Sequence, residues 1–517
     1  MKLLEIYHDK IIGAIKGLDR IRFRGTLRGL SDSIGINMFM SATGLLLKDF
    51  KDFAETKTQA LRASCERRAD ELGIPKIYLN SSNINKEEEA RSVAARNRIV
   101  NGPICLFSVV EPCMSPIVKG NRKTRQLELK MVPRKCAFLY HYFDHPEVGF
   151  GHVRIQTWMP YQIAICLNGR HWLEKQLLKR NCDFVKDGNC FPWIADLDLA
   201  QRLMDTQLEM NWNDLLNFLL HDASPEHAAI LHPVLSRYYW SADETEYATD
   251  IMFRSGHDLE RLYPSFIKHA MTVFDSPATM RFFGRKEPRG VFPKEIITDC
   301  RRRYEGVRIK SWVNFNSVKM YNKADSILRI ETTINNTRDF KVYRHPDDNP
   351  DKPASWQKMR KGVADLHRRC QVSEQCNIRY ADAIAAASTK EKLQDAVLPV
   401  CNRIIKNGQR FRALNPWRQD DFQLVTFLGK GGHAINGFRN HDMVAFLFGS
   451  NQADDEKEKR RRSGVATRRI RLLRAHGLIR KVPRVNRYVV TDKGQKFATA
   501  LLSASNVEIE KLMEMAA

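Results

Sequence analysis

Between residues 307 and 335 the chain reads VRIKSWVNFNSVKMYNKADSILRIETTIN, in which apolar and polar side chains alternate through successive runs. A period of two belongs to the extended chain, whose consecutive side chains point to opposite faces of a sheet. Short polar spacers at 314–316 and 324–326 can reverse the strand, so the pattern predicts an antiparallel meander of two hairpins. In that register Tyr321 lies between Lys310 and Arg329, and Lys319 lies near Glu331. One face then carries Arg308, Lys310, Lys319, Tyr321, Lys323, Arg329 and Glu331, while Val318, Met320, Leu328 and Ile330 point into a core. The polar face is suited to phosphate.

A second series of strand-like runs lies upstream: LELKMV, CAFLYHYF, GHVRIQTW and YQIAICL, separated by basic or Gly/Pro-containing turns between 115 and 167. Before it, 48–72 reads as an amphipathic helix ended by Gly73 and Pro75, 76–79 as a strand, and Asn85 with Glu88 as a capping box opening a helix to Arg98. After it come helical runs, WLEKQLLKR and LDLAQRLMDTQLEMNWNDLLNFLL, and beyond HPDDNPDKP helical patterns cover 355–387 and 390–406. At 517 residues the chain exceeds what one hydrophobic core organises. The reading is an α+β multidomain protein: an N-terminal α+β domain (1–175), a central α+β domain with a basic sheet (176–350), a helical linker (351–415) and a C-terminal domain (416–517).

Charge narrows the function. Lys and Arg number 84 against 60 Asp and Glu, a formal net charge of +24, which attracts polyanions and makes nucleic acid the leading partner. No run approaches the roughly 20 apolar residues that span a bilayer. The apolar residues of MKLLEIYHDKIIGAIKGLDR are interrupted by charge too early for a signal peptide. The 11 cysteines include no C-x-x-C pair, which suits reduced thiols rather than a disulfide framework or zinc ribbon. A soluble, cytoplasmic, basic protein without a membrane partner is therefore expected.

In the C-terminal domain, DDFQLVTFLGK and NHDMVAFLFG predict two helices, and a third begins near Ser463 with Ala466, Ile470 and Leu473 on its inner stripe. Its outer face is Arg468, Arg469, Arg471 and Arg474. The charge run at 453–463 reads as a solvated loop or helix lead-in. Gly477 ends the third helix, two short arms with Arg480, Lys481, Arg484 and Arg487 form a basic wing, and Thr491 caps a last helix. This order of arginine helix, AHGLI turn, basic wing and Y-x-x-T-x-x-G exit resembles the winged helix-turn-helix domains of bacterial transcription regulators. The resemblance implies a helix in the major groove of DNA and wing cations on flanking phosphates.

The string Val318 to Lys323 followed by Leu328 to Glu331 resembles the Y-x-K and R-x-E hairpin of rolling-circle replication initiators of plasmids and phages. That resemblance implies a transposase-like or initiator-like nickase of a mobile or extrachromosomal element. Tyr321 would be the nucleophile, Glu331 a metal ligand or base, and Lys319 or Lys323 a stabiliser of phosphorane charge. The implied cofactor is Mg²⁺ or Mn²⁺. If YYWSADETEYATDIMF is helical, Glu246 and Asp250 share a face and could join Glu331 as ligands. No His-hydrophobic-His motif accompanies the hairpin. Over its full length the chain, through FLYHYF, RIQTW, CLNGR, MRKG and LRAHGLI, also resembles a group of uncharacterised multidomain bacterial proteins, a likeness that carries no activity with it.

Other readings stay open. On the residues alone Tyr321 reads first as a sheet tyrosine packed beside lysine stems, and Glu246 and Asp250 as a solvated helix turn. His141, His145, His152 and Asp144 suit a hydrogen-bonded turn better than a metal. Phe138, Tyr140, Tyr142, Phe143 and Trp158 fit a core or a base-stacking platform. The whole protein is then a DNA-binding nickase, a non-catalytic DNA-binding regulator whose centre makes partner or homo-oligomer contacts, or an RNA-binding protein.

Overall fold

The upstream alternation becomes a large mixed sheet in the computed structural model, which describes residues 1–517 except 235–236, 286–295, 304–305, 347–350, 386–392, 407, 431–432, 434–436, 450–454, 484 and 508–517. Its strands are β1 (Ile11–Thr26), β2 (Lys76–Leu79), β3 (Gly102–Asn121), β4 (Gln126–His145), β5 (Gly149–Gln156) and β6 (Ile163–Asn168). A small hairpin, β7 (Phe184–Asp187) and β8 (Cys190–Ile194), precedes β9 (Tyr239–Phe253). The meander is β11 (Gly306–Val313), β12 (Asn316–Lys323) and β13 (Ile327–Thr333), joined by an earlier strand, β10 (Ile296–Arg303). The mixed α/β chain divides into two compact units built from distant segments. One comprises Met1–Ala14, Asp250–Thr332 and Val372–Ala517, the other Ile15–Thr249 and Thr333–Gln371. These are the first and second unit, respectively.

In the second unit the strand order is β9-β1-β6-β5-β4-β3-β2. Neighbours from β1 through β3 pair antiparallel, and β2 lies parallel to β3. The helix Phe50–Glu71 forms where its periodicity places it, ended by Gly73 in the left-handed region (φ 66°). Asn85 caps the helix Lys86–Arg96 by accepting from the Glu87 and Glu88 amides. Ala90, Val93, Ile104, Phe107, Phe138, Tyr140 and Tyr142 form one buried cluster, and Ile36, Phe50, Leu61, Leu129, Met159 and Tyr161 belong to another. The aromatic run of β4 is therefore core at Phe138, Tyr140 and Tyr142.

Four expectations are corrected. LELKMV and CAFLYHYF are one continuous strand, because Pro133, Arg134 and Lys135 carry on the ladder opposite Met114, Cys113 and Pro112. Proline's fixed φ is compatible with extended backbone when its missing N–H is not needed by the ladder. YYWSADETEYATDIMF is not helical but strand β9, in keeping with its Tyr, Trp, Thr and Ile content. The helix expected from residue 355 begins at Leu366, after a short strand Ser355–Lys358 and a single helical turn. Residues 404–406, expected to end a second helix, lie in a strand paired with Gln409–Phe411.

In the first unit the order is β10-β11-β12-β13, with the end of β9 beside β13. β10, β11 and β12 pair antiparallel. Val318, Met320, Leu328 and Ile330 are fully buried, as the alternation requires. The C-terminal part of the unit is helical: Gln419–Gly429, Asn440–Phe448, Glu456–Ala475 and Asp492–Ser505, with a hairpin of Ile479–Lys481 and Tyr488–Val490 between the last two. Leu424, Phe427, Phe438, Met443, Ala466, Ile470, Leu473 and Phe497 make its core. Val400 and Leu414, from the stretch read as a linker, are buried in the same cluster.

Candidate nucleic-acid interface

The arginine-bearing helix is longer than its apolar stripe. It starts at Glu456, because the Asp455 side chain caps it by accepting from the Lys457 amide at 3.2 Å. Glu458 then binds Arg461 (2.6 Å) and Arg462 (2.9 Å) one turn later. The part of the charge run from Asp455 onward is thus cap and helix, while 453–454 lie outside the described residues. Ile470 and Leu473 point inward, and Arg468, Arg471 and Arg474 are exposed on the other side. Arg469, expected on that open face, is half-buried and turned toward Asp420 (3.6 Å) and Asp421 (3.7 Å). Its neighbour Arg471 donates to the Gln409 amide oxygen at 2.8 Å.

The hairpin after the helix is set in register by Ile479 opposite Val490 and Lys481 opposite Tyr488. Phe438 adds a third, bridging position, with its amide and carbonyl both bonded to Tyr488 (2.7 and 2.8 Å). Gly437 makes that approach possible: it sits at φ 68°, and a Cβ there would collide with the Tyr488 carbonyl. Arg480 and Lys481 are exposed and Arg487 half-buried, whereas Arg484 lies outside the described residues. Thr491 Oγ1 accepts from the Gly494 amide at 3.1 Å and caps the last helix as expected.

A buried carboxylate ties this region together. Asp421 accepts two bonds from Arg412 (2.7 and 2.5 Å) and one from the Asn415 amide (2.9 Å). Burial alone would push its carboxyl up, but the Arg412 and Asn415 hydrogen bonds outweigh it and hold the group below its ordinary value of 3.8. A carboxyl depressed by folding stabilises the native state above its unfolded pKa and loses that contribution as pH falls through the folded one. The C-terminal region should therefore lose stability as pH drops below about 4, and Asp421→Asn should flatten that acid limb while lowering the plateau at neutral pH. Denaturant midpoints measured across pH check this; an unchanged limb in the variant would assign acid sensitivity elsewhere.

The meander in the first unit is displaced from the expected register. Its first loop is only Asn314 and Phe315, with Val313 opposite Asn316, so Tyr321 faces Arg308 and Lys310 faces Lys319. Asn314 takes the positive φ (54°) the tight turn requires. Lys319 does reach Glu331, with Nζ 2.5 Å from Oε1, and the Tyr321 hydroxyl donates to Glu331 Oε2 at 3.1 Å. Lys310, Lys319, Tyr321 and Lys323 are half-buried along one face. Arg329 is not on an open surface: it is 0% exposed and forked onto Asp250 through Nε–Oδ1 (2.5 Å) and Nη2–Oδ2 (2.8 Å). It cannot meet a phosphate while that pair stands.

The proposed ligand set is likewise placed. Both Asp250 oxygens are taken by Arg329, and Glu331, 1% exposed, is already matched by Lys319 and Tyr321. Glu246 is half-buried in the second unit, on β9, where a carboxylate oxygen lies within 4.8 Å of one from Asp19. Asp19 escaped the sequence reading because no local pattern marks it. It is 1% exposed and held by side-chain amides of Asn168 (3.0 Å) and Asn189 (2.8 Å to each oxygen). His141 and His152 do not converge, since His152 is opposite Tyr142 and so points to the other face from His141. Burial pushes His141 down to about 4 and His152 to about 3, keeping both neutral.

Comparison of the chain with protein-family models, curated proteins and solved structures gives no match. Among the described residues no helix is long and apolar enough to cross a membrane.

Proposed function

We propose that the C-terminal part of the first unit is a winged helix-turn-helix that grips duplex DNA, and that the protein is a DNA-binding protein of a mobile or extrachromosomal element. The observation that carries the reading is the pairing of one exposed arginine face, Arg468, Arg471 and Arg474, with an adjacent basic hairpin, Arg480 and Lys481. A helix presenting cations along one side fits a major groove, and a neighbouring two-stranded arm meets the flanking phosphates. The mobile-element part rests on the resemblance of residues 318–331 to replication initiators.

Binding to duplex DNA should weaken linearly on a log-log plot against salt, because each neutralised phosphate releases counterions. Replacing both Arg480 and Lys481 by Ala should reduce the slope by roughly one per lost phosphate contact. Titrations at several salt concentrations measure it, and an unaltered slope would show that the hairpin does not touch the backbone.

A second reading, strand nicking, is favoured by one contact: the Tyr321 hydroxyl within hydrogen-bond reach of the Glu331 carboxylate. A nucleophile beside its base is the arrangement covalent catalysis uses. Without cleavage the protein is a DNA-binding regulator.

A further inference from the structure

We propose that the second unit carries a separate binding site for single-stranded nucleic acid, in the cleft that the helix Phe50–Glu71 forms with the distal part of the β3–β4 ribbon. The cleft has a volume of about 870 Å³, within the range of roughly 300–1,000 Å³ typical of ligand sites. Cations line its rim: Lys48, Lys51 and Arg62 from the helical side, and Arg134 and Lys135 from β4. Of these, Lys51 lies 3.6 Å from Glu55, while Lys48, Arg62, Arg134 and Lys135 form no ion pair among the described residues. All five are exposed.

The ribbon extends this charge beyond the cleft. Residues 119–135 contain seven Lys or Arg against the single carboxylate of Glu128. Lys119, Arg122, Lys123 and Arg125 are exposed at or beside the tip. The ribbon is supported rather than free, since Leu129 is buried among Phe50, Leu61 and Met159, with Val118 and Met131 packed against them. Such support holds the cations in a fixed track and lowers the entropy lost on binding.

The floor decides between partners. Pro116, Ile117, Val118, Val132 and half-buried Trp158 line it, with Arg134 5.9 Å from the centre of the Trp158 ring. A duplex turns phosphate and sugar outward and keeps its bases stacked inside, so it has no use for an apolar floor. An unpaired strand presents base faces that stack on an aromatic ring, with its phosphates along a basic rim. Concave apolar floor and cationic rim together therefore fit a single strand.

The test uses the full-length protein and fluorescein-labelled oligothymidylate, oligouridylate and a mixed-sequence duplex, read by anisotropy over a salt series. Arg134→Ala with Lys135→Ala should weaken single-strand binding and flatten its salt slope by about 1.4, at about 0.7 per phosphate, with duplex affinity unchanged. Both side chains are exposed, and circular dichroism of the variant against wild type is the control for folding. The stronger of the two homopolymers identifies the source as DNA or RNA. In parallel, photo-crosslinking of iodouracil-substituted strands should attach at Trp158 or within residues 119–135. An unchanged single-strand affinity, an equal loss for duplex and single strand, or crosslinks confined to the C-terminal helices would overturn the proposal. Because the variant lies outside the C-terminal region, these outcomes are distinguishable from failure of the duplex-binding reading.

Discussion

Asp250→Ala should destabilise the first unit by about 3–5 kcal/mol, the cost of leaving a buried guanidinium without its carboxylate. Arg329 and Asp250 are each 0% exposed and joined by two parallel hydrogen bonds. Water cannot take over when the carboxylate is removed, and the desolvated charge must then be accommodated by local opening or unfolding. Removing both charges is a different perturbation: Arg329→Met combined with Asp250→Val exchanges the pair for apolar side chains, which in buried pairs is often near neutral. The double-mutant cycle, measured by guanidinium denaturation, should therefore show strong coupling. A metal-ligand role for Asp250 predicts the opposite, a variant of ordinary stability that has lost metal binding.

That pair also shows what alternation can and cannot reveal. The period of two in residues 307–335 correctly separates Val318, Met320, Leu328 and Ile330 from Lys319, Tyr321, Arg329 and Glu331. It does not say whether the polar side is wet. Along β13 every residue is buried, Arg329 and Glu331 included. Arg329 is neutralised by Asp250, 79 positions away, and no local rule connects the two. Asp19 is hidden for the same reason, being recognised by Asn168 and Asn189 across 149 and 170 positions.

Local signals suffice where the physics behind them is local. The Asn85 and Thr491 caps, the Gly73 stop and the helix-hairpin-helix order after residue 456 follow from propensity and capping alone. Local rules fall short where a proline-containing polar run looks like a break but is held in the ladder by its partners. Pro133-Arg134-Lys135 sits inside a strand because its partners across the ladder hold it extended; in the charge run the helix lead-in is the reading that holds, because i,i+3 and i,i+4 ion pairs and the Asp455 cap support a helix from Glu456. A turn at that position hides Arg134 and Lys135 as members of a cleft. The turn expected there had no reason to face the helix Phe50–Glu71.

Tyr321→Phe is expected to abolish any covalent protein–DNA adduct while leaving duplex binding intact. In the nicking reading the Tyr321 oxygen attacks a backbone phosphorus, a phosphotyrosine bond forms, the P–O bond to the neighbouring sugar breaks, and the released hydroxyl takes up a proton. Glu331 is placed to accept the phenol's proton, at 3.1 Å, and Lys310, Lys319 and Lys323 share the face on which phosphate charge would build up. A divalent ion, when bound, would add Lewis-acid stabilisation of that charge. Single-stranded or supercoiled DNA with Mg²⁺ or Mn²⁺ should then yield a nick with protein attached. Glu331→Gln should slow adduct formation by roughly 10²–10⁴-fold, the usual contribution of a positioned base. Because Glu331 is buried against Lys319, its variant is compared with wild type for folding before rates are read. An adduct that survives Tyr321→Phe rejects this tyrosine as nucleophile. Absence of cleavage with either metal on either substrate leaves Tyr321 as a sheet residue whose hydroxyl satisfies a buried carboxylate, and the protein as a regulator. The separation of the two sites along the chain makes the distinction clean, since phenol removal in β12 takes away no cation from the arginine helix or its hairpin.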